Sequence, residues 1–260
     1  MSEESKKLKE IEARIDMMRK RDKDSDDFKV RDEVFDKRTF MNLYALAKKG
    51  PIEALGGSIS TGKEANIFLA LGETGNLAIK IYRINTSNFK AMQNYLIGDP
   101  RFGNIKGTKR AIIIAWTRKE FRNLKRAQEV GVRVPNPIDM KENLLVMELI
   151  GEGEVPAPRL REVKLGEDEA RRVFEIISGY ISDLYNKARM VHADLSEFNI
   201  LYDRGEPVII DMGQSVMLEH PMARAFLERD ISNVARYFKK TYGIGSEEEI
   251  LAKLRADRDG

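Results

Sequence analysis

Residues 192–199 read HADLSEFN, and a second short motif, IDMG, follows at residues 210–213. The first motif has the spacing H-x-D-x-x-x-x-N, and an apolar run at residues 208–210 leads directly into Asp211 of the second. The residues that define the two patterns, Asp194, Asn199 and Asp211, supply two carboxylates and an amide, which are oxygen donors of the kind that Mg²⁺ prefers. The pair of motifs therefore predicts a loop and a strand end that act on the same metal-bound anionic ligand.

The same spacing occurs in the catalytic loop of protein kinases. Phosphoryl transfer needs a carboxylate at the acceptor hydroxyl, together with carboxylate and amide oxygens on the metal that neutralises the triphosphate. Each motif alone is a weak signal, because Asp-Met-Gly is also an ordinary turn and a single Asp or Asn in a loop is more often a cap.

Two further residues strengthen this interpretation by their order in the chain. Lys80 lies on a predicted strand, LAIKIY at residues 77–82, and Glu120 lies on the next long predicted helix, where it could pair with the lysine. Taken singly, Lys80 could be an ordinary strand lysine whose amine reaches solvent, and Glu120 an exposed helix acid. Four elements in kinase order favour a nucleotide phosphotransferase.

A competing motif, GSISTGKE at residues 57–64, satisfies the P-loop pattern G-x-x-x-x-G-K. We reject a P-loop because Glu64 stands where the Mg²⁺-binding hydroxyl is required, and because residues 65–70 indicate a strand instead of a phosphate-binding helix. The segment suits a β-turn that covers phosphates, with a plain hairpin turn as the alternative. Its donors would be backbone N–H groups and the side chains of Ser58, Ser60, Thr61 and Lys63.

Composition limits the kinds of site that the chain can build. The chain has no cysteine and only two histidines, which excludes disulfides, thiol catalysis and thiolate or histidine-rich metal centres. Any metal must have oxygen ligands, which indicates Mg²⁺ or Mn²⁺. The formal net charge of +3 gives no direct signal for nucleic-acid binding, and the longest apolar run, residues 111–116, is too short to span a bilayer. We expect a cytoplasmic protein with no membrane partner.

The pattern along the chain predicts three regions. Residues 1–47 would form a charged helical N-terminal extension, since the first 37 residues include 12 acidic and 11 basic ones. Residues 48–150 would form a sheet lobe, in which residues 65–70 and 77–82 pair as a hairpin and the apolar run at residues 144–150 is a buried strand. This lobe would carry a flexible loop insertion at residues 83–110, where periodicity is weak. The turn-rich sequence GEGEVPAP then marks the boundary to a helical lobe at residues 151–260, where residues 167–189 would form an amphipathic helix.

These regions predict an α+β, bilobal protein-kinase-like fold with an antiparallel-sheet N-lobe and a reduced helical C-lobe. Only 49 residues follow Asp211, and they contain no Ala-Pro-Glu sequence, so the activation segment and most peptide-docking helices of ordinary kinases would be missing. Peptide recognition would then use another surface. The 83–110 insertion is our candidate for that surface or for a regulatory flap, and Thr86, Ser87 and Thr108 are candidate autophosphorylation sites within it.

Five segments, taken in order, resemble the Rio family of atypical protein kinases: STGKEANIF, AIKIY, MELI, HADLSEFN and IDMGQS. The STGKEA form resembles the type-one subfamily, and the similarity covers roughly residues 48–245. The eukaryotic members' long basic C-terminal tail is absent, which suggests an archaeal relative. The resemblance implies an ATP-dependent serine/threonine kinase that uses Mg²⁺ or Mn²⁺, phosphorylates proteins including itself, and acts in maturation of the small ribosomal subunit.

The resemblance also implies roles for the motif residues. Asp194 would orient or deprotonate the acceptor hydroxyl, and Asn199 and Asp211 would hold the metal. Lys80 would contact the α- and β-phosphates, with Glu120 as its orienting partner.

Adenine binding, on the same resemblance, falls to the MELI stretch and two apolar residues. The Glu148 carbonyl and the Ile150 N–H lie two residues apart on one strand edge and can face adenine together. Met147 would be the gatekeeper beside that edge, and Ala78 and Leu201 would flank the ring. Each of these three apolar side chains could equally be a core residue.

Asp211 has a second interpretation from the resemblance. The Asp of the family's Asp-x-Gly turn can act as a phosphoacceptor, so that an aspartyl-phosphate forms and ATP hydrolysis works as a conformational switch on a ribosomal precursor. A small-molecule phosphotransferase is a further alternative, because antibiotic kinases share the H-x-D-x-x-x-x-N spacing. The basic, helical stretch at residues 222–240 argues against it.

Two more residues are predicted to hold the loop in place. His192 would do so by hydrogen bonding, since Asp194 already occupies the role of base. The segment RDISN at residues 229–233 resembles a family segment in which buried Asp230 braces the catalytic loop. A surface salt bridge is the alternative for Asp230.

Overall fold

A computed structural model describes residues 36–73, 75–85, 89–102 and 107–259. The predictions for residues 1–35, Thr86 and Ser87 lie outside the described residues. The chain divides into two compact units. The first takes in the described residues of 1–90, 106–118 and 137–149, and the second those of 91–105, 119–136 and 150–260.

An antiparallel sheet of five strands forms most of the first unit. Its strands are β1 (Ala54–Thr61), β2 (Ala65–Gly72), β3 (Gly75–Tyr82), β4 (Pro137–Lys141) and β5 (Leu144–Glu148). Their spatial order is β1-β2-β3-β5-β4. The predicted β2–β3 hairpin and the predicted strand at β5 are confirmed. The sequence pattern predicts no strand at β1 or β4, because two glycines and two register shifts interrupt β1, and a proline opens β4.

The core of the first unit explains why β3 is central. This strand is buried on both faces from Leu77 to Tyr82, as expected of an apolar strand that has neighbours on each side. A helix, α1 (Lys37–Lys48), places Leu43 and Leu46 in the same apolar cluster as the sheet. The described end of the predicted N-terminal extension therefore shares a core with the sheet.

The 83–110 insertion contains regular structure where we predicted a flexible loop. Helix α2 (Phe89–Leu96) is followed by a 3₁₀ turn at Pro100–Phe102. The prediction of a loop is wrong for these residues. The helix buries only Met92 and Leu96, so its apolar pattern is too short to stand out among the polar residues around it.

Helices dominate the second unit, as predicted. They are the C-terminal part of α3 (Lys109–Glu129), then α4 (Glu167–Asn186), α5 (Ala223–Tyr242) and α6 (Glu247–Asp259). Short antiparallel pairs accompany them: β6 (Gly151–Glu152) with β7 (Val155–Pro156), β8 (Met190–Val191) with β11 (Val216–Met217), and β9 (Ile200–Asp203) with β10 (Glu206–Ile209). Within the described ranges, none of the helices combines the length and the apolar character needed to cross a membrane.

Candidate active site

A short hairpin brings the two sequence motifs together. Strands β9 and β10 pair antiparallel, with Ile200 opposite Ile209. Asn199 directly precedes β9 and Asp211 follows β10, so both lie at the same end of the hairpin. The Ile210 N–H donates to the Asn199 carbonyl over 3.0 Å. The hairpin register therefore places Asn199 and Asp211, the two predicted metal ligands, at the same end of the hairpin.

Asp194 is held by two side-chain amides. Asn199 Nδ2 donates to the Asp194 carbonyl over 2.8 Å and to its Oδ2 over 3.1 Å. Gln214 Nε2 donates to the same Oδ2 over 3.1 Å. Because the nitrogen of Asn199 faces Asp194, its Oδ1 points elsewhere and can serve as an oxygen ligand. Gln214 has no predicted role, although it lies in the IDMGQS motif.

Two residues of the candidate site, one in each motif, have a left-handed backbone conformation. Ala193 has φ of 68° and Asp211 has φ of 62°. For residues with a Cβ this conformation costs roughly 1–2 kcal/mol each, and it persists only where surrounding contacts fix it. The contacts that fix Ala193 and Asp211 come from different helices.

Asp230 of α5 fixes the backbone around Ala193. Its carboxylate accepts hydrogen bonds from the Ala193 N–H over 2.7 Å and the Leu195 N–H over 2.9 Å. Arg229 donates to the Ala193 carbonyl, and Asn233 donates to the Leu195 carbonyl over 3.2 Å. Burial raises the pKa of Asp230 to about 7, while the two backbone donors act to lower it. The predicted bracing role is confirmed, and the salt-bridge alternative is not needed to explain the residue.

His192 links the two motifs by hydrogen bonds. Its Nδ1 accepts from the Asp194 N–H over 3.3 Å, so Nε2 carries the proton and donates to the Ile210 carbonyl over 3.0 Å. Burial lowers the pKa of His192 to about 4, so the ring is neutral near pH 7. The prediction that His192 holds the loop is confirmed.

Helix α3 fixes the turn that follows Asp211. Lys119 Nζ donates to the Gly213 carbonyl over 2.8 Å and to the Ser215 carbonyl over 2.6 Å. Asn123 Nδ2 donates to the Met212 carbonyl over 2.8 Å and to the Ser215 carbonyl over 3.1 Å. Burial lowers the pKa of Lys119 to about 7. The sequence carries no signal for either residue, because two polar positions spaced i, i+4 do not stand out on a helix that carries many other charged and polar side chains.

The first unit carries the predicted nucleotide-binding residues of the sheet. Lys80 is buried on β3, with its Nζ 5.2 Å from the centre of the Tyr82 ring. On neighbouring strands Ala78 lies opposite Met147, and both are buried. Glu148 lies opposite Leu77 at the end of β5. The structure thus brings Lys80, Ala78, Met147 and Glu148 to adjoining strands.

Three other predicted nucleotide-binding residues, Glu120, Ile150 and Leu201, belong to the second unit. Glu120 is buried on α3, and Ile150 is buried with its carbonyl accepting from the Ala157 N–H over 2.9 Å. Leu201 is half-buried on β9 opposite Val208.

The predicted phosphate-covering segment forms the end of the β1–β2 hairpin. Register shifts lie on either side of Ser58, Ser60 faces Ile67, and the Gly62 N–H donates to the Ala65 carbonyl over 3.0 Å. Lys63 is exposed in the turn. The Ser58 hydroxyl is buried and has no hydrogen-bond partner among the residues that the structure describes. A buried hydroxyl without a partner is costly, so it is a position where a ligand atom would be favourable.

The oxygen donors of the second unit fit a magnesium ion. Asn199 and Asp211 supply an amide and a carboxylate oxygen at one end of the β9–β10 hairpin. No cluster of three or more His, Cys, Asp or Glu residues suited to a metal occurs in the described part of the chain. A two-ligand site is the arrangement in which Mg²⁺ keeps waters and takes further oxygens from substrate phosphates.

The fold and the site together define a class. An antiparallel sheet with a buried lysine, and a helical unit that carries an H-x-D-x-x-x-x-N loop beside an Asp-x-Gly turn, are the features of a protein-kinase-like fold. A solved structure confirms the fold: the Rio2 kinase–ADP/Mg²⁺–phosphoaspartate complex from Chaetomium thermophilum. It is similar with a TM-score of 0.61 and 23% identity, over 83% of this chain and 66% of that chain.

A family model described as the RIO domain matches residues 66–250, so the chain belongs to the RIO domain family. The RIO-type serine/threonine-protein kinase Rio1 of Haloferax volcanii is 50% identical over 87% of this chain and 77% of its own length. Its namesake in Methanocaldococcus jannaschii is 39% identical over 92% of this chain and 82% of its own length. The resemblance drawn from the motifs, including the likeness to archaeal type-one members, is confirmed.

Proposed function

We propose that this chain is an ATP-dependent serine/threonine protein kinase that also phosphorylates itself. The observation that carries the proposal is the Asp194 carboxylate, held by two amide donors next to the Asn199–Asp211 pair. The names of the archaeal relatives, both serine/threonine-protein kinases, support the same activity.

Asp194 would act on the acceptor hydroxyl. Its carboxylate would accept a hydrogen bond from the serine or threonine O–H and so direct the oxygen at the γ-phosphorus. As the new O–P bond forms and the bond from the γ-phosphorus to ADP breaks, the hydroxyl proton passes to Asp194. The amides of Asn199 and Gln214 would hold the carboxylate in place during this transfer.

Asn199 and Asp211 would hold Mg²⁺, and Mn²⁺ could use the same oxygen ligands. When bound, the ion neutralises charge that develops on the phosphate oxygens. His192 and the β9–β10 hairpin keep the two ligands in register.

The first unit would serve as the N-lobe and bind the rest of ATP, and the second unit would serve as the C-lobe. Lys80 would contact the α- and β-phosphates, with Glu120 as its partner, and the β1–β2 hairpin would cover the phosphates through Ser58, Ser60 and Lys63. Adenine would contact Met147 and Glu148 at the end of β5 and Ile150 two residues beyond that strand, with Ala78 and Leu201 on its faces. The similar Rio2 kinase was solved as a complex with ADP and Mg²⁺, which supports this choice of ligand.

An ATPase switch is the second candidate function. In it an Asp211 carboxylate oxygen would attack the γ-phosphorus while the bond from that phosphorus to ADP breaks and ADP leaves. Water would then hydrolyse the aspartyl-phosphate to inorganic phosphate and the free carboxylate. The phosphoaspartate of the similar Rio2 complex favours this candidate. A role in maturation of the small ribosomal subunit, with a ribosomal precursor as partner, rests on the family resemblance alone.

The decisive experiment is labelling of the full chain, and of a generic protein acceptor such as casein, with γ-labelled ATP and Mg²⁺. A kinase gives acid-stable phosphoserine or phosphothreonine, and Asp194→Asn lowers its rate by at least about a hundredfold. Label that is released by hydroxylamine and lost in Asp211→Asn would favour the switch instead. Absence of both kinds of label in the wild type would contradict both candidates.

A further inference from the structure

Four side chains connect residues 91–102 with the turn after Asp211. They are Asp99, Arg101, Lys119 and Asn123, and we call them the support cluster. We propose that Lys119 and Asn123 are positioning residues for Asp211, and that Arg101 and Asp99 make the 91–102 segment part of the same support. The proposal rests on the proposed function in one respect, because it takes Asp211 as a metal ligand.

The inner half of the support cluster acts on backbone carbonyls. Lys119 and Asn123 are both 0% exposed, and their donors reach the carbonyls of Met212, Gly213 and Ser215. Buried carbonyls need a partner, and here much of that pairing comes from side chains of a helix far away in sequence. The position of the turn therefore depends on α3.

Asp211 itself needs such support. Its left-handed backbone, with φ of 62°, is unfavourable for a residue with a Cβ and lasts only where the neighbours fix it. On its N-terminal side Ile210 is bonded to Asn199 and His192. On its C-terminal side the fixed atoms are the carbonyls that the support cluster holds, so this cluster completes the hold on Asp211.

The outer half of the support cluster sets the orientation of Asn123. Arg101 Nη1 donates to Asn123 Oδ1 over 2.9 Å. Because the oxygen of the amide faces Arg101, the nitrogen must face the turn. Loss of Arg101 would remove the contact that favours this orientation over the flipped one.

Asp99 holds Arg101 in turn. The carboxylate is 2% exposed and accepts from Arg101 Nε over 2.9 Å and from Nη2 over 2.7 Å. Such a two-point ion pair fixes both the place and the plane of the guanidinium. The side chains of Asp99, Arg101 and Asn123 thus link the predicted insertion to the turn after Asp211. A change in the insertion can therefore alter the position of Asp211.

Calorimetric titration with a non-hydrolysable ATP analogue, with and without Mg²⁺, tests the proposal on the full chain. We expect Arg101→Gln and Asn123→Ala to keep the metal-free affinity within about twofold. The factor by which Mg²⁺ raises the affinity for the nucleotide should be about tenfold smaller in each variant than in the wild type. A tenfold change is the size expected for the loss of one hydrogen bond near a charge. Lys125→Gln is the control, since it removes one positive charge from the exposed face of the same helix.

The double variant separates a shared route from two independent defects. If Arg101 acts through Asn123, the double variant loses no more Mg²⁺-dependent affinity than the single variant Asn123→Ala. The double variant carries both Arg101→Gln and Asn123→Ala. Should Asn123→Ala fail to fold, Arg101→Gln still decides the matter, since it removes no contact with the turn itself. Arg101→Gln with the full Mg²⁺ gain, or additive losses in the pair, would overturn the proposal and leave the kinase function standing. A wild type with no Mg²⁺ gain would instead overturn the role of Asp211 and the proposal together.

Discussion

The 192–215 segment of the second unit and the β1–β2 hairpin of the first unit differ in how their polar side chains are satisfied. In the 192–215 segment, Asp194, Asn199 and the turn after Asp211 are held by hydrogen bonds from the chain itself. In the hairpin, Ser58 lies between two register shifts, and its buried hydroxyl lacks a partner among the described residues.

This difference indicates that one region is organised before the ligand binds, whereas the other completes its hydrogen bonds with the ligand. The chemistry of phosphoryl transfer depends on groups placed before the ligand arrives, because preorganised groups need no rearrangement during the reaction. A phosphate-covering hairpin can instead gain its last hydrogen bonds from the ligand. Substitutions in the two regions should therefore have different signatures: large effects on rate and stability in the first, and small effects that depend on ATP in the second.

The largest effect is expected for Asp194→Asn. The side-chain amide that replaces the carboxylate cannot take up the proton of the acceptor hydroxyl. Its NH₂ group would also compete with the amide donors of Asn199 and Gln214, which now point at a carboxylate oxygen. We expect kcat to fall by about 10²–10⁴-fold, the usual contribution of a general base, with little change in ATP affinity. Steady-state kinetics with a saturating protein acceptor measures this. A kcat within tenfold of wild type would show that the held carboxylate does not carry the reaction.

Asp230→Ala tests whether the bracing of the loop stabilises the fold. The change leaves two buried backbone N–H groups, those of Ala193 and Leu195, without their acceptor. We expect the free energy of unfolding to fall by about 2–6 kcal/mol, since each of the two unpaired buried groups costs about 1–3 kcal/mol. Urea denaturation measures it, and the control is Glu228→Ala on the same helix, whose ion pair with Arg224 is exposed. Equal losses in the two variants would contradict the account.

His192 should give the segment a pH dependence. Its pKa is lowered from 6.5 to about 4 in the folded chain, so the unfolded chain binds more protons between these values and stability falls as pH drops through that range. The difference in unfolding free energy between wild type and His192→Gln should shrink by about 3 kcal/mol from pH 6.5 to pH 4. Asp230 gives the unfolding free energy a pH dependence of the opposite sign, but it does so in both proteins. Its contribution therefore cancels in the difference between wild type and His192→Gln. A difference that does not vary with pH would contradict the neutral, buried ring.

Ser58→Ala should have the smallest effect. Removal of an unpaired buried hydroxyl should leave the unfolding free energy unchanged within about 0.5 kcal/mol or raise it, and should raise KM for ATP a few-fold. Ser178→Ala is the matched comparison, since that buried hydroxyl donates to the Phe174 carbonyl over 2.7 Å. It should lose about 1 kcal/mol with no change in KM. A destabilised Ser58→Ala with normal KM would remove the contrast between the two regions.

Local patterns were enough to predict the parts of the fold with strong periodicity. The β2–β3 hairpin, the apolar strand β5 and the amphipathic helix α4 all follow from alternation or helical spacing. Strand β1 and helix α2 escaped prediction, because glycines and a bulge interrupt the first and two buried residues are too few to mark the second.

The candidate site shows the same limit. The spacing of Asp194, Asn199 and Asp211 could be found because the three residues lie within one short stretch of chain. Lys119 and Asn123 could not, because helical spacing tells which residues share a face but not which distant carbonyls they meet. The order of the motifs points to Glu120 on this helix, whereas it is the neighbouring Lys119 that donates to the turn after Asp211.

A crystal structure of the chain with a non-hydrolysable ATP analogue and Mn²⁺, located by its anomalous signal, tests the central claim most directly. We predict one Mn²⁺ bound by Asn199 Oδ1 and an Asp211 carboxylate oxygen at about 2.0–2.3 Å, with Asp194 not coordinated to it. The Lys80 amine should contact the α- or β-phosphate oxygens of the same nucleotide. A metal bound away from Asn199 and Asp211, or a nucleotide that does not reach Lys80, would contradict the account.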